Sequence, residues 1–231
     1  GAHQSIATPL IGMAQDGLAA FEPAFVDELA VIMRWGFDYM QRDGKRAAED
    51  KPTASEKWIR DSNGGSVYLR LSTRAIEQPQ RVMDEALTHD IIEGGYWLRK
   101  PGPNPDCVIV AMGAIVPEAI RAVGMMAEDR RDVGLMIVTS ADRLNAGWTA
   151  AQRARQSGLG NTQSHVETLL DQVPRSAAII SVLDGHPATL AWMAGVYGHR
   201  VTSLGVEHFG QTGDLEDLYA HYRVDAAAII D

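Results

Sequence analysis

Cysteine is almost missing from this chain: a single one, Cys107, lies within an apolar run, so no disulfide can form inside the chain and a disulfide-built secreted scaffold is excluded. That thiol economy fits a reducing compartment, and a cytoplasmic location is the expectation. Long apolar runs are also lacking. No window approaches the roughly 20 consecutive apolar residues that a membrane helix requires. Apolar residues make up 45% and charged residues 22%, which predicts a soluble globular protein. Basic side chains are in the minority, 21 against 30 acidic, giving a net charge of −9. With no tight grouping of Lys and Arg to offset it, that charge repels a phosphate backbone, so nucleic acid is not an expected partner. An initiating Met, a basic–apolar leader and a cleavage signal are all missing, and the natural protein is expected to extend upstream of Gly1.

What is present is alternation of strand and helix patterns. A chain of 231 residues accommodates two α/β units. Residues 1–16 read as a loop with at most a short turn of helix, and 17–22 as a strand. Pro23 stands at a helix start, and Phe25, Leu29, Ile32, Met33, Phe37 and Met40 recur at helical spacing through Arg42. Asp27 and Glu28 then fall in the first turn, where carboxylates meet the positive end of the helix dipole. Residues 45–65 read as an exposed excursion. Val67, Leu69 and Leu71 alternate with Ser66, Tyr68 and Arg70, the period of a half-buried strand. These readings divide the chain into a first unit over 1–78, a linker over 79–92 carrying a weakly helical polar run, and a second unit over 93–231.

In the second unit strands are predicted at 95–99, 107–112, 133–139, 177–182 and 200–204, and helices at 117–126, 142–156, 165–172, 187–197 and 214–222. The middle three strands are continuous apolar runs, as expected of strands covered on both faces. The fold class is α/β, with a five-stranded, mostly parallel sheet whose first strand is antiparallel. The short turn over 100–106 predicts that this first strand pairs with the second.

Several familiar chemistries lack their residues. The strand and helix around Gly113 carry no second and third glycine to crowd amides around a pyrophosphate. Gly158, Gly160 and Thr162 follow a helix and read as a plain loop. The seven histidines, His3, His89, His165, His186, His199, His208 and His221, match no zinc spacing. His186, between Gly185 and Pro187 at a strand end, reads either as a functional residue or as a helix-start contact. Ser140 lacks a nucleophile elbow, and Ser140 or Asp142 reads instead as a helix cap.

A family resemblance supplies what these patterns do not. Gly1, Ala2, His3, Gln4 and Ser5 resemble the Gly-x-x-His-Gln-Pro loop of transketolases and the related loop of homodimeric pyruvate dehydrogenases, with Ser5 in the proline position and one spacer residue fewer. Phe21–Pro23 followed by Asp27–Met33 resembles the proline and acidic-helix passage of those dehydrogenases. Val138, Thr139 and Ser140 with Leu144, the loop over 205–213 with Thr212 near its serine position, and Tyr222, Val224, Asp225 and Ala226 are similar to later family motifs in the same order. The resemblance is to thiamine diphosphate-dependent 2-oxo acid dehydrogenases of the transketolase-like superfamily. It implies the tail of a pyrimidine-side cofactor domain followed by a transketolase C-terminal-like domain.

What the resemblance implies for function is oxidative decarboxylation of pyruvate or a similar short 2-oxo acid, with the acyl unit passed to a lipoyl group. The implied partners are a second copy in a homodimer and a lipoyl-bearing acyltransferase component. His3 is the implied catalytic residue, with Gln4 orienting substrate. Thiamine diphosphate and magnesium belong to the full-length enzyme. Their Gly-Asp-Gly motif and activating Glu are absent here, so none is expected bound to this piece, and it is expected to be inactive alone. The alternatives are a transketolase or deoxyxylulose phosphate synthase-type transfer between sugar phosphates, and a non-catalytic binding domain. Transketolases place a phosphate-gripping Arg after the strand that ends near Leu71; here Arg74 stands one position later.

Overall fold

The computed structural model describes residues 6–15, 17–43, 63–158, 160, 162–208 and 211–231. Its centre is set by two apolar runs. Cys107–Met112 (β4) and Val133–Val138 (β5) are buried at all six positions each and lie parallel, Val108 beside Gly134 and Val110 beside Met136. The period of two sends alternate side chains to opposite faces. Val108, Val110 and Met112 join Met136 and Val138 in one core, while Ile109, Ala111, Leu135 and Ile137 enter another.

Helices cover both faces. Val116–Glu128 (α4) follows a 3-10 turn at Gly113–Ile115, carries a proline in its first turn and buries Ala119, Ala122, Val123 and Met126 at three- and four-residue spacing against the Ile109 face. Ala141–Gln156 (α5) and His165–Leu170 (α6) cover the other face. Ala178–Leu183 (β6) then pairs with β4, Val201–Leu204 (β7) pairs with β6, and Leu215–His221 (α8) and Ala226–Ile230 (α9) close the chain.

Gly95–Arg99 (β3) is antiparallel, as predicted, but its neighbour is β5 rather than β4, giving the order β3-β5-β4-β6-β7. Both edges of β4 are taken by parallel partners, so the 100–106 connection must pass beneath β5. It is held there by Gly102 N donating to Asp132 Oδ1 and Asp106 N donating to Asp132 O. The register of β3 slips between Trp97 and Arg99, leaving a bulge. The predicted helix over 187–197 is instead Ala188–Ala191 (α7) and a 3-10 turn at Trp192–Gly195, cut short by Tyr197 and Gly198 at φ 59° and 75°.

The first unit contributes Thr8–Met13 (α1), Leu18–Phe21 (β1), Val26–Met40 (α2) and Ser66–Leu69 (β2). β1 and β2 form a two-stranded parallel sheet, Phe21 opposite Leu69. Glu28, rather than Pro23, starts α2: its Oε2 accepts from Ala24 N and Phe25 N at 2.7 and 3.0 Å, satisfying backbone donors that the helix leaves open. The alternation over 66–71 holds only to Leu69; Leu71 is exposed and Arg70 turns inward. The weakly helical run in the linker is a regular helix, Glu85–Glu93 (α3), capped by Asp84 and ended by Gly94 at φ 111°. Any Cβ at Gly94 would lie 2.6 Å from Ser140 O.

Buried polar groups join these elements to the sheet. Glu28 is wholly buried; Tyr96 Oη of β3 donates to its Oε1 at 2.5 Å, and Arg81 Nη1 donates to Tyr96 Oη at 2.6 Å. Arg81 also holds Asp27 through two bonds of 2.6 and 2.7 Å and lies over the rings of Phe25 and Tyr96. Burial pushes both the Glu28 carboxyl and the Tyr96 hydroxyl up; at Asp27 burial pushes the same way, but Arg81 holds the carboxyl below its ordinary value.

Candidate functional site at the carboxyl edge of the sheet

In open α/β sheets, ligands bind outside the carboxyl ends of strands where successive connections leave in opposite directions. Here β5 lies on one side of β4 and β6 on the other, so that point falls between Gly113, after β4, and Asp184, after β6. The β1/β2 pair packs over it. Because Phe21 faces Leu69, the next residues, Glu22 and Arg70, leave their strands side by side, and Arg70 Nη1 donates to Glu22 Oε1 at 2.5 Å.

Glu22 is deeply set. Its side chain is 7% exposed, its backbone N donates to Thr139 O at 2.8 Å, and its carboxylate lies on Gly113, where an added Cβ would fall 2.2 Å from Oε1. Gly113 has φ 70°, so this position requires glycine on two counts. Burial raises the Glu22 carboxyl to about 7; Arg70 opposes that rise and Asp184 adds to it. Glu22 Oε2 has no hydrogen-bond partner among the described residues. Beside the pair is a cleft of about 20 Å³ lined by Pro9, Phe21, Tyr68, Met112, Ser140 and Asp142, room for about one water.

A second cation stands nearby. Arg74 Nη1 reaches Ala114 O at 3.4 Å and Tyr219 Oη at 3.5 Å, Nη2 lies 3.6 Å from Glu118, and the guanidinium sits 5.5 Å from the Tyr219 ring centre. Burial first, then Asp184, pushes the Tyr219 hydroxyl up. Arg74, one position later than the phosphate-gripping Arg of transketolases, thus faces α4 and α8.

His3 and Gln4 lie outside the described residues. Ser140 is the α5 cap: its Oγ accepts from Arg143 N at 3.1 Å and donates to Ala20 O at 2.6 Å, which leaves no free nucleophile. Asp142, the other candidate cap, accepts instead from Ala20 N at 3.1 Å. His186 makes the helix-start contact, its Nδ1 accepting from Ala188 N at 3.2 Å. Glu22 and Arg70 were not singled out from sequence. The available signal was a carboxylate and a guanidinium each directly following a short apolar strand, but only the parallel register brings them together.

Among the described residues no three His, Cys, Asp or Glu side chains converge to hold a metal ion. The described residues do not make up a magnesium–diphosphate site. No described helix is long and apolar enough to cross a membrane.

Residues 94–225 match the family model of the transketolase-like TK C-terminal domain, and the chain belongs to that family. It is 32% identical over 166 residues to a plasmid-borne transketolase of Cupriavidus necator, covering 71% of this chain and 21% of the relative. It is 23% identical over 230 residues to a pyruvate dehydrogenase E1 component of Mycolicibacterium smegmatis, covering 96% of this chain and 22% of that protein. A transketolase variant from Pichia stipitis, crystallised with fructose 6-phosphate, has the same fold at a TM-score of 0.62 and 19% identity, over 99% of this chain and 26% of that one. The chain thus spans about a fifth of the length of these curated relatives.

Proposed function

We propose that this chain is the C-terminal part of a thiamine diphosphate-dependent 2-oxo acid dehydrogenase, decarboxylating pyruvate or a similar short 2-oxo acid and passing the acyl unit to a lipoyl group. The observation that carries this reading is the alignment with the pyruvate dehydrogenase E1 component, which runs along 96% of the chain and so takes in α2 and the β1/β2 pair as well as the family domain. The place of Arg74, one position off the transketolase pattern and facing Glu118 and Tyr219, supports it. In this reading His3 acts at the substrate with Gln4 orienting it, a second copy completes a homodimer, a lipoyl-bearing component receives the product, and the enzyme works in the cytoplasm.

The cofactor, when bound, supplies the electron sink for decarboxylation. The residues that hold it and its magnesium lie outside these 231, so the isolated chain is expected to bind it negligibly; micromolar, magnesium-dependent binding by calorimetry overturns that expectation.

The higher identity to the Cupriavidus protein favours a second reading, transfer of a two-carbon unit between sugar phosphates. Assays on the full-length natural protein separate the two. Ferricyanide reduction driven by pyruvate supports the dehydrogenase, exchange between sugar phosphates supports the transketolase, and inactivity with both leaves a binding domain.

A further inference from the structure

Helix α2 carries two apolar faces. One lies in the core: Ile32, Gly36 and Tyr39 are buried, with Val31 and Trp35 packed beside them. The other meets solvent. Val26, Met33, Phe37 and Met40 are 63%, 41%, 55% and 46% exposed, and Ala30 is exposed between them. Their spacing of four, three, four and three residues is the seam of a coiled coil, in which a second helix with the same repeat supplies the holes for these side chains. Among the described residues no other helix exposes more than two large apolar side chains, so the surface of this molecule that matches the seam is the seam itself.

Size and charge select the direction in which two copies would meet. With the helices antiparallel, the register that sets Val26 against the partner's Phe37 also sets Ala30 against the partner's Met33, so each large side chain meets a smaller one. The same register brings Arg34 beside the partner's Asp27, twice over by symmetry. Arg34 is exposed and has no ion-pair partner among the described residues, and Asp27, held by Arg81 on one side, keeps 31% of its side chain exposed. Sliding one copy by a heptad sets Arg34 against the partner's Arg34. A parallel pair crowds Phe37 on the partner's Phe37 and leaves Ala30 facing the partner's Ala30, overpacked at one layer and empty at the other.

We propose that the exposed seam of α2 binds the same seam of a second copy of this chain, antiparallel about a two-fold axis. The inference rests on the homodimer of the proposed function and names a surface for it. A helix of 15 residues is about 22 Å long, too short to bury the roughly 800 Å² per partner of a stable complex. Through α2 alone the pair is therefore expected to be weak, with a Kd on the order of 10–100 µM.

Sedimentation velocity on this chain, from about 5 to about 500 µM to bracket that Kd, is expected to pass from monomer to dimer. Met33→Glu, which puts a charge into the seam at a position open to water in the single copy, should weaken association about tenfold or more without lowering the melting temperature. Arg34→Glu should weaken it about threefold. Val26→Cys combined with Phe37→Cys, two positions about 16 Å apart along one helix, should give a covalent dimer on oxidation, while neither single variant does. A chain that stays monomeric throughout, or that dimerises equally well with Met33→Glu, overturns the proposal and gives the seam to a different partner. Cross-linking by either single variant overturns the antiparallel arrangement. None of these outcomes touches pyruvate turnover by the full-length protein, so failure of the interface and failure of the proposed chemistry are told apart.

Discussion

The five-stranded sheet and the β1/β2 pair with α2 share an apolar core but differ in what else joins them. β4 and β5 are buried at every position, and their attachment is apolar packing on two faces. The first unit places Phe21, Phe25 and Ile32 in that core, and its junction with the sheet adds polar groups: Glu28 with Tyr96 and Arg81, Glu22 with Arg70, and Ser140 and Asp142 with Ala20. Apolar packing tolerates substitution of one hydrophobe by another of similar volume. A buried polar junction tolerates few substitutions, because each lost partner leaves another group unpaired. The sheet is therefore the robust part, and the junction is the part that can be broken by a single residue.

Three substitutions sharpen that contrast. The largest effect is expected from Glu28→Ala, which strips the α2 start of its acceptor, leaves the Tyr96 O–H without an acceptor and removes a carboxylate beside Arg81, at a cost of about 3–5 kcal/mol. Hydrogen exchange should show α2, β1 and β2 losing protection first; uniform loss across β4 and β5 would mean that the two regions unfold as one. Next is Ile109→Ala in the centre of β4, expected to cost about 3 kcal/mol in urea unfolding by the cavity it leaves. Here all regions should lose protection together, and a loss confined to β1 and β2 would invert the contrast. Smallest is Ser140→Ala, which removes the α5 cap and the bond to Ala20 O, at about 1–2 kcal/mol. Ser140→Thr keeps the hydroxyl and should restore most of that loss; no recovery would place the effect in packing instead.

The same division explains what could be read from sequence. The strand 95–99 and the run 107–112 appear at their predicted bounds, because continuous or bounded apolar runs mark buried strands without reference to distant residues. Pairing order was not legible. β3 skips β4 because both edges of β4 are filled by strands that come later in the chain, which no local pattern around 100–106 encodes. The site was the least legible part. Glu22 precedes a proline and Arg70 continues an alternating pattern, so each reads locally as a strand-end polar residue; their meeting depends on a register set 48 positions apart. Glu28 was legible as a first-turn carboxylate, but the burial that makes it a junction comes from Tyr96 and Arg81.

The bulge in β3 has a use beyond the fold of one molecule. A sheet's outermost strands offer unpaired amides and carbonyls to any extended chain that drifts alongside, and long flat borders invite fibrous growth. On one border the slip between Trp97 and Arg99 breaks the regular spacing; on the other, β7 is only four residues long. Neither margin presents the even ladder that a foreign strand would need to extend the sheet, which blunts both borders of a core rich in valine and isoleucine.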